Sequence, residues 1–275
     1  MPPAKNIAVN NPPASRDETI ATTPFLGYRI SNSPLNALTA AALAAARREH
    51  PQITFACANP HSLATADKDK EFRRALIDTD QLVADGVGLV LAAGLAGTRL
   101  EPRVTGNEYF EALLQFLHDQ REKLGRKGRV FFFGSSQHVL DRIAAKFERQ
   151  YPNLELCGVL SPPFGEWDDS VNAAMIATIN AAQPDVLWVG MTAPKQEKWV
   201  YRNRARLDAA VIGSIGAVFD FYAETYPRAP EWACRAGLEW LVRLAREPRR
   251  MWKRTFISLP YFLYTVFTRQ YSQGA

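Results

Sequence analysis

One carboxylate stands out in the segment Gln81-Leu82-Val83-Ala84-Asp85-Gly86-Val87-Gly88. A short apolar run that stops at an acid followed by two nearby glycines reads as a strand ending in a tight turn, with a helix soon after. In an open α/β sheet, ligands collect outside the carboxyl ends of the strands, where an aspartate can serve a substrate as a general base. A cap or turn role for Asp85 at the following helix is equally compatible with the local sequence. Four other segments share this form. Residues 52–58 read as a buried strand that ends at Asn59-Pro60-His61. Residues 128–133 run into Gly134-Ser135-Ser136, where free N–H groups at a helix start make a seat for a phosphate, although the same residues also make an ordinary N-cap. Residues 185–189 lead into Gly190 and then Ala193-Pro194-Lys195-Gln196-Glu197-Lys198-Trp199, which puts Lys195 and Gln196 in the first turn of a helix beside the crevice. Residues 210–212 lead into Gly213-Ser214-Ile215-Gly216, whose glycines let a ligand approach the backbone. Arg103 stands in a loop with no evident local partner and is either a site residue or a solvated surface arginine.

This inventory excludes several chemistries. The spacing Gly213-x-x-Gly216 is not the dinucleotide fingerprint and no acid follows at the required distance, which argues against NAD. We read no metal-binding Asp-x-Asp and no Ser/His/Asp set, so neither a metal nor another cofactor is expected. Cys57, Cys157 and Cys234 are distant from one another and odd in number, which indicates a reducing compartment and no zinc site. One general base and a cradle for a diphosphate suit the deprotonation of a hydroxyl as it attacks an activated sugar, a step to which a positioned base contributes about 10²- to 10⁴-fold.

The elements that must position these residues are those of an α/β sheet. A strand at 52–58, a helical pattern at 67–79 and the strand before Asp85 form one β-α-β unit. Its right-handed crossover predicts parallel pairing with Asn59 and Asp85 at the same sheet edge. Further helices are predicted at 34–50, 88–96, 137–149 and 168–182, and another through residue 122 is capped by Thr105 or Asn107. Residues 1–25 lack periodicity and read as a mobile leader, and residues 26–227 form the α/β catalytic domain. Residues 228–275 read as a helical appendage of different character. The net charge of +5 is concentrated there, in Arg228, Arg235, Arg243, Arg246, Arg249, Arg250, Lys253 and Arg254 against Glu231, Glu239 and Glu247. Such a cluster suits an anionic partner. An amphipathic helix is predicted at 229–247, broken by Pro248, and an aromatic run at 256–267 suits a membrane interface, where each basic residue is worth about 1 kcal/mol. A final helix packed on the sheet is the plainer alternative for that run. Nucleic acid is disfavoured, because Phe and Tyr in the tail alternate with Leu, Ile and Val. With no signal-peptide core and no apolar run of about 18 residues, the expected place is cytoplasmic, peripheral on the inner face of the membrane.

Several of these motifs occur together, in order and spacing, in a known family. Ala84-Asp85-Gly86-Val87-Gly88, Arg103-Val104-Thr105-Gly106, the stretch from Ala193 to Trp199, Gly216-Ala217-Val218-Phe219-Asp220, Arg228-Ala229-Pro230 and Gly237-Leu238-Glu239-Trp240-Leu241 resemble the WecG/TagA/CpsF family of bacterial glycosyltransferases. The resemblance covers residues 28–254. It implies a Rossmann-like, mostly parallel sheet flanked by helices, with a C-terminal appendage that brings the enzyme to the membrane and completes the site. It implies inverting transfer of a hexose, N-acetylmannosamine or its uronic acid from a UDP-sugar to a polyprenyl-diphosphate-linked saccharide, without a metal. By the same resemblance Asp85 is the base and Asn59 and Arg103 are active-site groups. Gln196 binds the nucleotide sugar, with Gly134, Ser135, Gly190, Lys195, Gly213 and Gly216 around it. Arg243 and Arg250 meet the lipid diphosphate, with Lys253 standing where another arginine is often found. Some relatives carry Thr at the position of Cys57, which leaves any hydroxyl role there unsupported. A non-catalytic nucleotide-binding scaffold at the membrane is the alternative reading. The donor sugar is not fixed by these motifs, and a homo-oligomer is left open.

Overall fold

The computed structural model describes residues 20–100, 103–120, 125–227, 229–230, 232–233, 239–246 and 248–271. Its centre is an eight-stranded sheet of order β1-β2-β4-β3-β8-β7-β5-β6. The strands are β1 (Thr22–Phe25), β2 (Tyr28–Ser31), β3 (Ile53–Ala58), β4 (Gln81–Ala84), β5 (Gly128–Gly134), β6 (Leu154–Leu160), β7 (Val186–Gly190) and β8 (Val211–Ser214). All neighbouring pairs are parallel except β1 with β2. Parallel strands covered on both faces must be apolar throughout, and β4, β7 and β8 are buried at every position.

The predicted mostly parallel α/β sheet is thus present, and the crossover lands as expected. Cys57 pairs with Val83 and Ala58 with Ala84, and the Asp85 N–H donates to the Ala58 carbonyl at 2.8 Å. Two expectations are corrected. Residues 22–25, read as the end of a mobile leader, form edge strand β1, where Pro24 is tolerated because an edge position does not need every N–H. The single helical stretch expected at 67–79 is the second of two helices, α2 (Pro60–Ala66) and α3 (Lys70–Ile77). Asn59 caps α2 at once through a reciprocal bond with Ser62, and Asp69 caps α3 by accepting from the N–H groups of Glu71 and Phe72.

The other helices of the sheet domain are α1 (Leu35–Ala46), α4 (Val87–Leu95), α5 (Gly106–Asp119), α6 (Gln137–Gln150), α7 (Asp169–Ala181), α8 (Lys195–Asn203) and the short α9 (Val218–Tyr222). One face of the sheet packs on α1, α5 and α6 through a cluster that includes Phe55, Tyr109, Phe110, Phe132 and Trp188. Phe55 and Tyr109 stack with centroids 3.8 Å apart, which locks the start of α5 over β3.

In the tail, α10 (Glu239–Arg246) and α11 (Pro248–Trp252) precede a π-helical turn (Lys253–Ser258) and α12 (Leu259–Tyr271). Of the amphipathic helix expected at 229–247, Glu239–Arg246 is helical, and residues 231, 234–238 and 247 lie outside the described residues. Pro248 opens α11 at a first-turn position, where its missing N–H costs little. Helix α12 docks on the domain: Phe262 and Val266 are buried with Leu63, Ala64, Leu89, Ala92 and Ala93 of α2 and α4. The Ser258 hydroxyl lies 2.8 Å from His61 Nδ1, and the Lys68 ammonium sits over the Tyr261 ring at 4.9 Å. Among the described residues no helix is long and apolar enough to cross a membrane.

Candidate active site

The carboxyl ends of β3, β4, β5, β7 and β8 open into a cavity of about 560 Å³. The predicted residues Asn59, Asp85, Ser135, Gly190, Lys195, Gln196 and Gly216 line it, and so does Arg254 of the tail. Helices α2, α5, α6 and α8 begin at this edge, so their amino-terminal N–H groups and dipoles favour an anionic ligand there.

The residue after Asp85 bears on its capping role. Gly86 takes φ of +91° and ψ of 150° and is itself the N-cap of α4, with no side-chain cap bond. Asp85 is therefore not the N-cap residue of that helix, and its partly buried side chain lines the cavity. Asn59 caps α2 and also lines the cavity. Its Oδ1 accepts from the Ser62 N–H at 2.9 Å, which leaves Nδ2 as the group available to a ligand.

The turn after β5 has the backbone strain of a ligand seat. Gly134 has φ of +121°, and the non-glycine Ser135 follows at +56°. Ser136 caps α6 through the Val139 N–H, and the Ser135 carbonyl accepts from Ser161 Oγ at 2.8 Å. Consecutive N–H groups in such a turn form a concave anion seat. The glycine reading needs amendment at two positions that do not line the cavity. A Cβ on Gly213 would stand 2.2 Å from the Trp188 ring, so this residue is glycine to admit an indole and not a ligand. A Cβ on Gly134 would meet the Gly190 carbonyl oxygen at 2.5 Å, where two strand ends touch.

Lys195 lines the cavity but is already engaged. Its ammonium donates to the Gly165 carbonyl at 2.5 Å and lies 3.8 Å over the Trp167 ring, which ties the loop after β6 to α8. Burial holds its pKa below the usual lysine value. Arg103 is not on the wall: its guanidinium lies 4.0 Å from Glu108 Oε1. The side chains of Arg243, Arg250 and Lys253 lie outside the described residues.

Beside Gln196, which sequence reading had named, two residues acquire importance that it did not give them, Glu197 and Asn107. Gln196 is buried, its Oε1 accepting from the Met191 N–H at 3.2 Å and its Nε2 donating to Glu197 Oε1 at 2.8 Å. Glu197, named in the sequence only as part of the motif at residues 193–199, is buried, and burial pushes its pKa up to about 7. Asn107 was one of two candidate caps for α5. Thr105 takes that role in a reciprocal box with Glu108, and Asn107 lies buried on the cavity wall. The Thr105-x-x-Glu108 spacing was the signal that could have separated the two. Cys57 sits among these groups. Burial first, then the charges of Asp85 and Glu197, keep its thiol protonated far above the usual range.

Two Asp-x-Asp spacings do occur in the chain, and each acid meets a basic side chain. Asp67 pairs with Arg73, Asp69 with Lys198, and Asp78 and Asp80 with Arg204. Among the described residues no three His, Cys, Asp or Glu side chains come together as metal ligands would.

Known proteins share this arrangement of sequence. The chain is 31% identical over 212 residues to the N-acetylglucosaminyldiphosphoundecaprenol N-acetyl-beta-D-mannosaminyltransferase of Bacillus subtilis (strain 168), covering 77% of this chain and 78% of that protein. The protein of the same name from Bacillus spizizenii (strain ATCC 23059 / NRRL B-14472 / W23) is 30% identical, with 78% of each chain covered. That of Staphylococcus aureus (strain MW2) is 25% identical, covering 76% of this chain and 77% of its own. Residues 23–275 match the model of the glycosyl transferase WecG/TagA/CpsF family, and the chain belongs to that family of glycosyltransferases.

Proposed function

We propose that the protein transfers a sugar from a UDP-sugar to a saccharide carried on polyprenyl diphosphate, with inversion and without a metal, and that Asp85 is the general base. The observation that carries this reading is the position of Asp85. It stands at the carboxyl edge of β4, on the wall of a cavity ringed by helix amino termini. The names of the relatives support the substrate classes, since they act on a lipid-diphosphate-linked N-acetylglucosamine and move an N-acetylmannosaminyl group.

In this mechanism the Asp85 carboxylate takes the proton of the acceptor hydroxyl as its oxygen forms a bond to the anomeric carbon. The bond from that carbon to the β-phosphate oxygen breaks on the opposite face, and UDP leaves with the electron pair. The turn at Gly134-Ser135-Ser136 and the start of α6 meet the charge of the departing diphosphate. Asn59 Nδ2 orients a hydroxyl, Gln196 supports the nucleotide-sugar side of the cavity, and Arg103 acts from the loop before α5 once substrate is bound. Arg254, with Arg243, Arg250 and Lys253, receives the diphosphate of the lipid acceptor. The exposed Trp252, Phe256, Ile257, Tyr264 and Phe267 rest in the membrane interface, as a peripheral protein on an anionic leaflet requires.

Incubating the protein with a panel of UDP-sugars and a short-chain lipid-diphosphate glycoside tests this reading. Release of UDP with a β-linked disaccharide product is expected for at least one donor. Nucleotide binding with no transfer to any acceptor would favour a non-catalytic scaffold instead.

A further inference from the structure

Two polar atoms of residues on the cavity wall are buried and have no hydrogen-bonding partner among the described residues: Asn107 Nδ2 and Glu197 Oε2. Their residues are only 8% and 7% exposed. They come from the first turns of different helices, α5 and α8, each fixed by other bonds. Thr105 and Glu108 close the start of α5, and Glu197 Oε1 holds the carboxamide of Gln196, which in turn holds the Met191 N–H. Between them lies Cys57, whose thiol a Cβ on Gly106 would meet at 3.2 Å and whose ionisation the Glu197 charge opposes. A buried polar group left unpaired costs about 1–3 kcal/mol, so two on one cavity wall call for a ligand that satisfies both.

We propose that Asn107 and Glu197 bind the polar substituents of the transferred sugar, Asn107 donating to an oxygen and Glu197 engaging a hydroxyl or an amide N–H. This assignment rests on the reading of the cavity as a UDP-sugar site. It gives the sugar its own pair of contacts, separate from the phosphate seat at Ser135 and from the base Asp85. An N-acetylhexosamine presents this combination, since its acetamido group offers one carbonyl and one N–H. A site built on such contacts rejects analogues that lack the matching group more strongly than an apolar pocket does.

The test compares Asn107→Ala, Glu197→Ala and Glu197→Gln with the wild type, measuring KM for UDP-N-acetylmannosamine and UDP-glucose and, by calorimetry, the Kd of UDP alone. Each alanine variant is expected to raise the KM of its preferred donor roughly tenfold while the Kd of UDP moves by less than about twofold. Glu197→Gln keeps an acceptor for Gln196 and a polar group beside it, and is expected to recover part of the loss. A small space of about 10 Å³ behind Glu197, lined by Thr54, Tyr201 and Ser214 among others, has room for one water, which would satisfy Oε2 without any substrate. In that case Glu197→Ala changes thermal stability but not donor KM, and the proposal falls for Glu197. Equal losses of UDP and UDP-sugar affinity would likewise overturn it, since they indicate a general deformation of the cavity. A wild type that transfers sugar while both alanine variants keep its KM overturns the proposal alone. A wild type that binds neither UDP nor any UDP-sugar overturns the functional reading as well.

Discussion

Replacing Glu197 by Gln should change how stability depends on pH, by an amount that follows from the burial of this side chain. The Glu197 side chain is buried, and loss of hydration pushes its pKa from an ordinary 4.5 to about 7, against the smaller opposing effect of the Gln196 N–H. Between these two values the folded chain holds a proton that the unfolded chain has released. Stability therefore falls as pH rises through this window and levels off above about pH 7. At about 1.4 kcal/mol per pH unit, the interval from 4.5 to about 7 amounts to about 3 kcal/mol. Glutamine has nearly the same volume, accepts from Gln196 and does not titrate. Denaturant unfolding of both proteins at several values between about pH 4 and pH 8 isolates this contribution, because every other titrating group is common to the two and cancels in the difference. The variant should gain on the wild type by about 3 kcal/mol across the range, nearly all of it between 4.5 and 7. A difference that stays constant with pH would refute the argument that Glu197 is enclosed and lacks a compensating cation.

Other perturbations test how the site is built. Gly213→Ala places a methyl 2.2 Å from the Trp188 ring and should cost at least about 1–3 kcal/mol in denaturant unfolding; unchanged stability would mean that β8 and Trp188 are not in contact. Phe262→Ala removes the larger of the two buried apolar side chains of α12, Phe262 and Val266, and should cost about 3–5 kcal/mol, seen as faster proteolytic release of the tail, whereas an unchanged cleavage pattern would contradict the docking of α12 on α2 and α4. Removing residues 228–275 should abolish flotation with anionic vesicles, and flotation that survives the deletion would place membrane contact elsewhere.

Much of this architecture could be read from the chain because core strands of a parallel sheet announce their own ends. Apolar runs such as Val186–Gly190 stop abruptly at glycine or a polar residue, and the stops at Asn59, Asp85 and Gly190 are part of the cavity wall. The crossover rule then put Asn59 and Asp85 at the same sheet edge without any structure. Edge strand β1 was not legible, since Thr22–Phe25 is four residues long, contains Pro24 and gains its order only by pairing with β2. Glycine was ambiguous for a physical reason. Gly213 and Gly216 both lack a side chain, but the space belongs to Trp188 at the first and opens on the cavity at the second. Glu197 was missed because flanking charges suggest a solvated face. Its neighbour Lys198 does turn outward, to Asp69 and Glu71, while Glu197 turns in.

The central claim is that the Asp85 carboxylate takes the proton of the attacking hydroxyl. Asp85→Asn preserves the size of the side chain and leaves the strand-end N–H bond to Ala58 in place. Single-turnover transfer by this variant, measured beside its affinity for the UDP-sugar, separates chemistry from binding. A rate lower by about 10²- to 10⁴-fold with nearly unchanged affinity is the predicted result. A rate within a few-fold of wild type would show that another group, or none, removes the proton.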